Sequence, residues 1–124
     1  MPNMVLVGRS MQKDPIPTTV GHPFNWEDRL EEYLPEATNT PPSHVGTATL
    51  KSTVSAEDTL NVVEATFVLT DGSEVKAAGT LTVVNGRIDH GVLTISGAGS
   101  GQFANSKGDI GVDRVNPKRY SIPN

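Results

Sequence analysis

Two dipeptides, Asp71-Gly72 and Asn85-Gly86, sit between runs of β-branched and aromatic residues, and this punctuation constrains the fold more than any other feature. Glycine tolerates the positive φ that tight connections need, so each dipeptide reads as a hairpin turn between antiparallel strands. Leu60 to Leu69 (LNVVEATFVL) precedes the first turn, and its composition suits a pleated, mostly buried surface. Glu74 to Val84, interrupted by Gly79, runs between the turns, and Arg87 to Ser96 follows the second. Val45 to Val54 reads as a further strand upstream. Downstream, Gly97-Ala98-Gly99-Ser100-Gly101 is a flexible corner, and Asp109 to Val115 and Tyr120 to Ile122 complete the sheet. Short, evenly spaced strands of this kind make a barrel or a sandwich. A closed barrel has no exposed edge and is the expected form.

The first third reads differently. Pro15, Pro17, Pro23, Pro35, Pro41 and Pro42 all fall there, and proline removes a backbone donor and fixes φ. One short strand, Met4 to Ser10, followed by loops that cross an end of the domain, is the expectation. Residues 25–34 carry helix signals: Asn25 as a cap, acids in the first turn, Pro35 as a stop, and an apolar stripe of Trp26, Leu30, Tyr33 and Leu34. Ten residues of helix are marginal alone, so packing must decide between helix and extended chain. The 124 residues suit a single domain, with 1–44 as first strand and capping loops and 45–122 as a β-meander.

Composition removes several functions. There is no cysteine, hence no disulfide framework, thiolate metal site or cysteine nucleophile. A formal charge of -4 and a pI near 5.2 argue against nucleic acid, which demands a dense basic footprint. Lys107, Arg114, Lys118 and Arg119 are interspersed with Asp109 and Asp113 and read as a solvated face. No stretch approaches the ~20 apolar residues of a membrane span. The N-terminus has only a short apolar run, Met4 to Val7, and no basic lead-in, so no secretory signal is read and the cytoplasm is the expected location. Neither a G-x-S-x-G elbow, an H-E-x-x-H helix nor a phosphate loop is present. His22, His44 and His90 lie in separate segments without ligand spacing, so no metal is expected.

The remaining candidates are acids and one lysine. Glu64 lies mid-strand, and period-two alternation puts it on the face of Val62, Thr66 and Val68. Facing an apolar cavity it would be a proton donor with a raised pKa; facing outward it would be a solubilising charge. Asp28, Glu31 and Glu32, near Trp26 and Tyr33, could handle protons at a barrel mouth, or form an ordinary helix surface. Lys107, after the glycine corner, could hold a carbonyl or phenolate oxygen, or pair with Asp109.

The run Leu69-Thr70-Asp71-Gly72-Ser73-Glu74, then Gly79-Thr80-Leu81-Thr82-Val83 and Asn85-Gly86-Arg87, resembles the strand–turn–strand of dirigent proteins. Leu93 to Gly108, with the glycine corner followed by Phe103 and then Gly108, resembles the matching segment of dirigents and plant allene oxide cyclases. Ser43-His44-Val45-Gly46-Thr47-Ala48 and the ending Asn116-Pro117-Lys118-Arg119-Tyr120 are similar to their counterparts there, so the resemblance covers roughly residues 43–122. It implies an eight-stranded antiparallel barrel with an apolar cavity, commonly trimeric, that works without a cofactor. Allene oxide cyclases close a ring and dirigents steer phenoxy-radical coupling, and bacterial spirotetronate cyclases use barrels of comparable design. The first strand, Val5-Leu6-Val7-Gly8-Arg9-Ser10, lacks the glutamate of the cyclases and the aspartate of dirigents, and Ser106-Lys107-Gly108 replaces the dirigent Ala-Arg-Gly. Asp28-Arg29-Leu30 is similar to a dirigent segment that is extended rather than helical. Neither named activity is therefore carried over.

These readings combine into one expectation. The chain is an all-β, eight-stranded antiparallel barrel that templates a hydrophobic small molecule as a cofactor-independent cyclase or isomerase of specialised metabolism, pericyclic closure included. Trp26, Tyr33, Phe67 and Phe103 would shape the pocket, Glu64 or Asp28 would manage a proton, and Lys107 would hold an oxygen. A trimer or dimer is the expected assembly. The alternatives are a non-catalytic carrier of the same kind of ligand and a purely structural oligomer unit.

Overall fold

The computed structural model describes residues 3–11, 15–33, 41–114 and 118–123. Eight strands run β1 (Met4–Ser10), β2 (Pro23–Glu32), β3 (His44–Ala56), β4 (Thr59–Leu69), β5 (Glu74–Val84), β6 (Arg87–Ile95), β7 (Asp109–Arg114) and β8 (Lys118–Ile122), with a short 3₁₀ turn at Gly101–Phe103. Each pairs antiparallel with its neighbour in sequence, and β8 returns to β1, with Leu6 opposite Tyr120 and Val7 opposite Arg119. The ring closes, as the strand spacing leads one to expect. No described helix is long and apolar enough to cross a membrane.

Closure follows from alternation. Along β3, Ala48, Leu50, Ser52 and Val54 turn inward while Thr49, Lys51 and Ser55 face solvent. Equivalent inward positions on the other strands put Leu60, Phe67, Leu81, Leu93, Ile110 and Ile122 into one continuous core. Each fully buried Leu, Ile or Phe side chain contributes about 1.5–3 kcal/mol, and this burial holds the sheet in a ring. At the β5–β6 hairpin Asn85 (φ 53) and Gly86 (φ 75) are both left-handed, the geometry of a two-residue turn that matches strand twist. The β4–β5 connection runs through Thr70, Asp71 and Gly72, with the Gly72 N–H donating to the Leu69 carbonyl at 2.9 Å.

Two expectations change. Loops were expected after Met4–Ser10, with residues 25–34 open between helix and extended chain. Residues 25–32 are extended and belong to a second strand, β2, which pairs with β1 through Leu30 and Gly8 and with β3 through Trp26 and Leu50. Phe24, Trp26, Asp28 and Leu30 alternate inward with Asn25, Glu27 and Arg29 outward. A helix there would leave two neighbouring strands without hydrogen-bond partners. Pro23 is tolerated because it occupies the first position of the strand. Leu34, Pro35 and Val115 lie outside the described residues. The second change concerns Glu64. A bulge between Val62 and Ala65 inserts one extra residue opposite β5, so Val62 and Ala65 both point inward. Glu64 is thereby on the outer face with Thr66, so the outward of its two readings holds, and the face it was expected to share with Val62 is split by the bulge.

The barrel has two unlike ends. At one, which we call the Lys118 end, β2 and β8 begin, and the segment before β2 is pinned across it by Gly21 N–H to Val54 O (2.8 Å) and Val54 N–H to His22 O (2.9 Å), with Ile16 packed on the core. At the other, the Glu32 end, β1 begins and β2 finishes.

Candidate functional site

A carboxyl group is buried inside this barrel. Asp28, fully buried on β2, accepts a hydrogen bond at Oδ2 from the Tyr120 hydroxyl (2.5 Å) and an ion pair at the same oxygen from Lys118 Nζ (2.8 Å). Tyr120 and Lys118 stand two residues apart on β8 and so share its inward face. The three meet because β1 is the only strand between β2 and β8, and it carries Gly8 at the crossing: a Cβ there would overlap the Tyr120 ring and press on Asp28 Oδ2.

Aromatic rings wall the group. Phe67 meets Tyr120 edge to face at 5.0 Å, and Phe24 packs against Trp26 at 5.3 Å. The Lys118 ammonium lies 5.7 Å from the Trp26 ring centre and 5.6 Å from that of Tyr120, within cation–π range of both rings. Burial, then the charge of the Asp28 carboxylate and the hydrogen bond to it, push the Tyr120 hydroxyl well above its ordinary value, so the phenol keeps its proton and acts as a donor. The Trp26 indole N–H lies close enough to the phenol to oppose that shift, but it is outside hydrogen-bonding geometry. Trp26 Nε1 and Asp28 Oδ1 are both buried and have no hydrogen-bond partner among the described residues. An unsatisfied donor and an unsatisfied carboxylate oxygen are costly in a packed interior, and such groups call for an explanation, a ligand-receiving site among them.

Among the residues singled out from sequence, Asp28, Trp26 and Phe67 come together here. The others do not. Glu64 is half-buried on the outer face, accepting from Thr66 Oγ1 at 3.4 Å. Lys107 is exposed in the turn before β7, at the opposite end from Lys118, and its expected partner Asp109 instead accepts from Thr94 Oγ1 (2.9 Å). Tyr33 follows β2 at the Glu32 end with the Arg119 guanidinium over its ring at 4.8 Å. Phe103 is buried in the 3₁₀ turn, where it anchors the glycine corner to the core. Glu31 pairs outside the barrel with Arg9 (2.5 Å) and Arg29 (3.1 Å); desolvation opposes the effect of these two cations, which nevertheless hold its carboxyl below the usual range.

Lys118 and Tyr120 were missed as site residues. Lys118 reads in sequence as part of a solvated basic face, yet its side chain is only 12% exposed because Asp28 draws it inside. The signal was the alternation Lys118, Tyr120, Ile122, which places the lysine on the same face as two apolar residues.

The molecule is thus an eight-stranded antiparallel barrel with a carboxylate, a phenol and an ammonium gathered within it. No family model matches the sequence, and no curated protein matches it. Of the features the dirigent and allene oxide cyclase resemblance implied, the closed barrel is present, while no family match supports that kinship. Among solved structures, pyocyanin demethylase superposes with a TM-score of 0.65 over 97% of each chain at 20% identity. At that identity the likeness is one of fold.

Proposed function

We propose that the barrel binds a hydrophobic small molecule against Trp26 and Asp28 and moves a proton on it, as an isomerase or a proton-assisted cyclase. The observation that carries this reading is the free oxygen of Asp28. Tyr120 and Lys118 both engage Oδ2, which keeps the carboxylate oriented and leaves Oδ1 to accept a proton. In the proposed step Oδ1 takes a proton from an acidic carbon or hydroxyl of the ligand, and the electron pair left behind moves into the adjoining π system. Negative charge then gathers on a ligand oxygen, which Lys118 Nζ, with donors beyond the one given to Asp28, stabilises. Returning the proton to a different atom completes an isomerisation. Attack of the displaced pair on a second, π-bonded carbon of the same molecule closes a ring. The π bond at that carbon breaks, its electron pair moves to the partner atom, and that atom takes the proton back from Asp28, while the walls of the lumen contribute by holding one reactive conformer. Pyocyanin demethylase is by its name an enzyme, which supports an enzymatic reading of a barrel of this shape.

The rest of the lumen favours a second reading. Around this one polar group the described inward positions, Ser52 apart, are mostly aliphatic or aromatic, which is the lining of a carrier. One experiment separates the two. 2-Tetralone, an aromatic ketone with exchangeable protons beside its carbonyl, is incubated with the protein in deuterium oxide, and exchange is followed by proton NMR. The enzymatic reading expects acceleration over buffer and a loss on the order of 10²-fold in Asp28→Asn. Saturable quenching of Trp26 fluorescence without exchange identifies a carrier. Neither quenching nor exchange overturns both.

A further inference from the structure

We propose that the Glu32 end of the barrel holds a second small-molecule site, selective for an apolar body that carries a positively charged nitrogen. A cavity of about 350 Å³ opens there, within the range of small-ligand pockets. None of Trp26, Asp28, Lys118 or Tyr120 lines it, so it is separate from the interior group.

Its chemistry is amphipathic and acidic. Leu6, Val45 and Leu69 supply an apolar floor. Glu32 is directly opposite Leu6 in the β1–β2 register, which turns its side toward the barrel mouth rather than the outer wall. Across the opening Asp71 is held in place by Gln102 Nε2 (2.7 Å) and the Ser73 N–H (2.8 Å). Those bonds, the one from Gln102 foremost, keep its carboxyl below the usual range, so it stays charged at neutral pH. Among the described residues no lysine, arginine or histidine lines the cavity, and the two charged side chains that do line it, Glu32 and Asp71, are both acidic. Tyr33 forms a wall and not a cation cage, because Arg119 already stacks on its ring. The selectivity therefore rests on the two carboxylates above a greasy floor: a fatty acid of matching shape is repelled, an alcohol gains only from the floor, and an alkylammonium gains from both. The carboxylates are near the surface, so the attraction weakens as salt is raised.

The test titrates the intact protein with decylammonium, decanol and decanoate below their micellar concentrations, reading backbone amide shifts by NMR and Trp26 fluorescence in parallel. Decylammonium is expected to saturate with shifts centred on Leu6, Val45, Thr70 and Gln102, at least about tenfold tighter than decanoate, with Trp26 emission unchanged. Glu32→Gln, which alters an exposed side chain, is expected to weaken decylammonium about threefold and leave decanol unaffected. Equal binding of decanoate or decanol, shifts scattered over the surface, or saturation that tracks Trp26 quenching would each overturn the proposal. A ligand confined to the interior group would show in that last outcome, so the two sites stand or fall separately.

Discussion

Asp28 is partnered by Lys118 and Tyr120, which lie far downstream in the chain and reach it through the barrel. A buried ion pair is a weak source of net stability, but breaking one by removing a single partner is expensive. Lys118→Met is accordingly expected to destabilise the fold by about 3 kcal/mol, and Asp28→Asn added to it to recover most of that loss. Urea denaturation of the single and double variants measures both. The Tyr120 hydroxyl gives a second, pH-dependent effect. Its value is raised in the folded barrel, so its contribution is fully present below the ordinary tyrosine value near 10 and is lost as the pH rises toward the folded value. Alkaline titration followed at 295 nm should show no Tyr120 ionisation until the barrel unfolds, and Tyr120→Phe should titrate like the parent up to that point. At this scale the sequence was only partly legible. Asp28 was a candidate, but nothing near it in the chain announces its partners, and a lysine among acids and arginines looks solvated until the register places it inside.

The elements divide into those written locally and those decided by neighbours. Met4–Ser10 and Glu74–Val84 are bounded as local alternation and turn residues predict, and Asn85-Gly86 adopts the left-handed pair such a turn requires. A Cβ at Gly86 would meet nothing within 4 Å, so Gly86→Ala isolates the backbone cost. About 1 kcal/mol of destabilisation is expected, seen as a lowered thermal midpoint without change in the circular dichroism of the native state. Gly8→Ala tests the opposite case, ordinary backbone with no space: the added methyl must displace the Tyr120 ring, at about 1–3 kcal/mol, and disturb Trp26 emission as it does so. β2 stayed open between helix and extended chain because its period-two pattern is broken at Asp28, the inward position where an apolar residue is expected. The acids around it then look like the first turn of a capped helix. The residue that hides the strand is the one that forms the site. The β4 bulge had no local signature at all, since it exists only in the pairing of Val62 with Gly79 and Ala65 with Ala77, and one extra residue there is what sends Glu64 outward.

At the scale of the molecule, eight strands close a barrel whose interior is wide enough to be filled by side chains or to admit one small ligand. Aliphatic chains fill most of this one, and at one level an aspartate, a tyrosine and a lysine replace them beneath an indole. The ring was legible from turn spacing, whereas its contents were not, because lumen chemistry is assembled from strands at opposite ends of the chain. The central claim is that this level of the lumen receives a hydrophobic guest. Trp26 is the single tryptophan and lies at that level, so its fluorescence reports occupancy without a label. Titrated with 2-tetralone, Trp26 emission is expected to fall along a saturating, one-site curve that is shifted to weaker binding in Lys118→Met. A linear, non-saturating decline, the same in both proteins, would show only collisional quenching and would contradict the account.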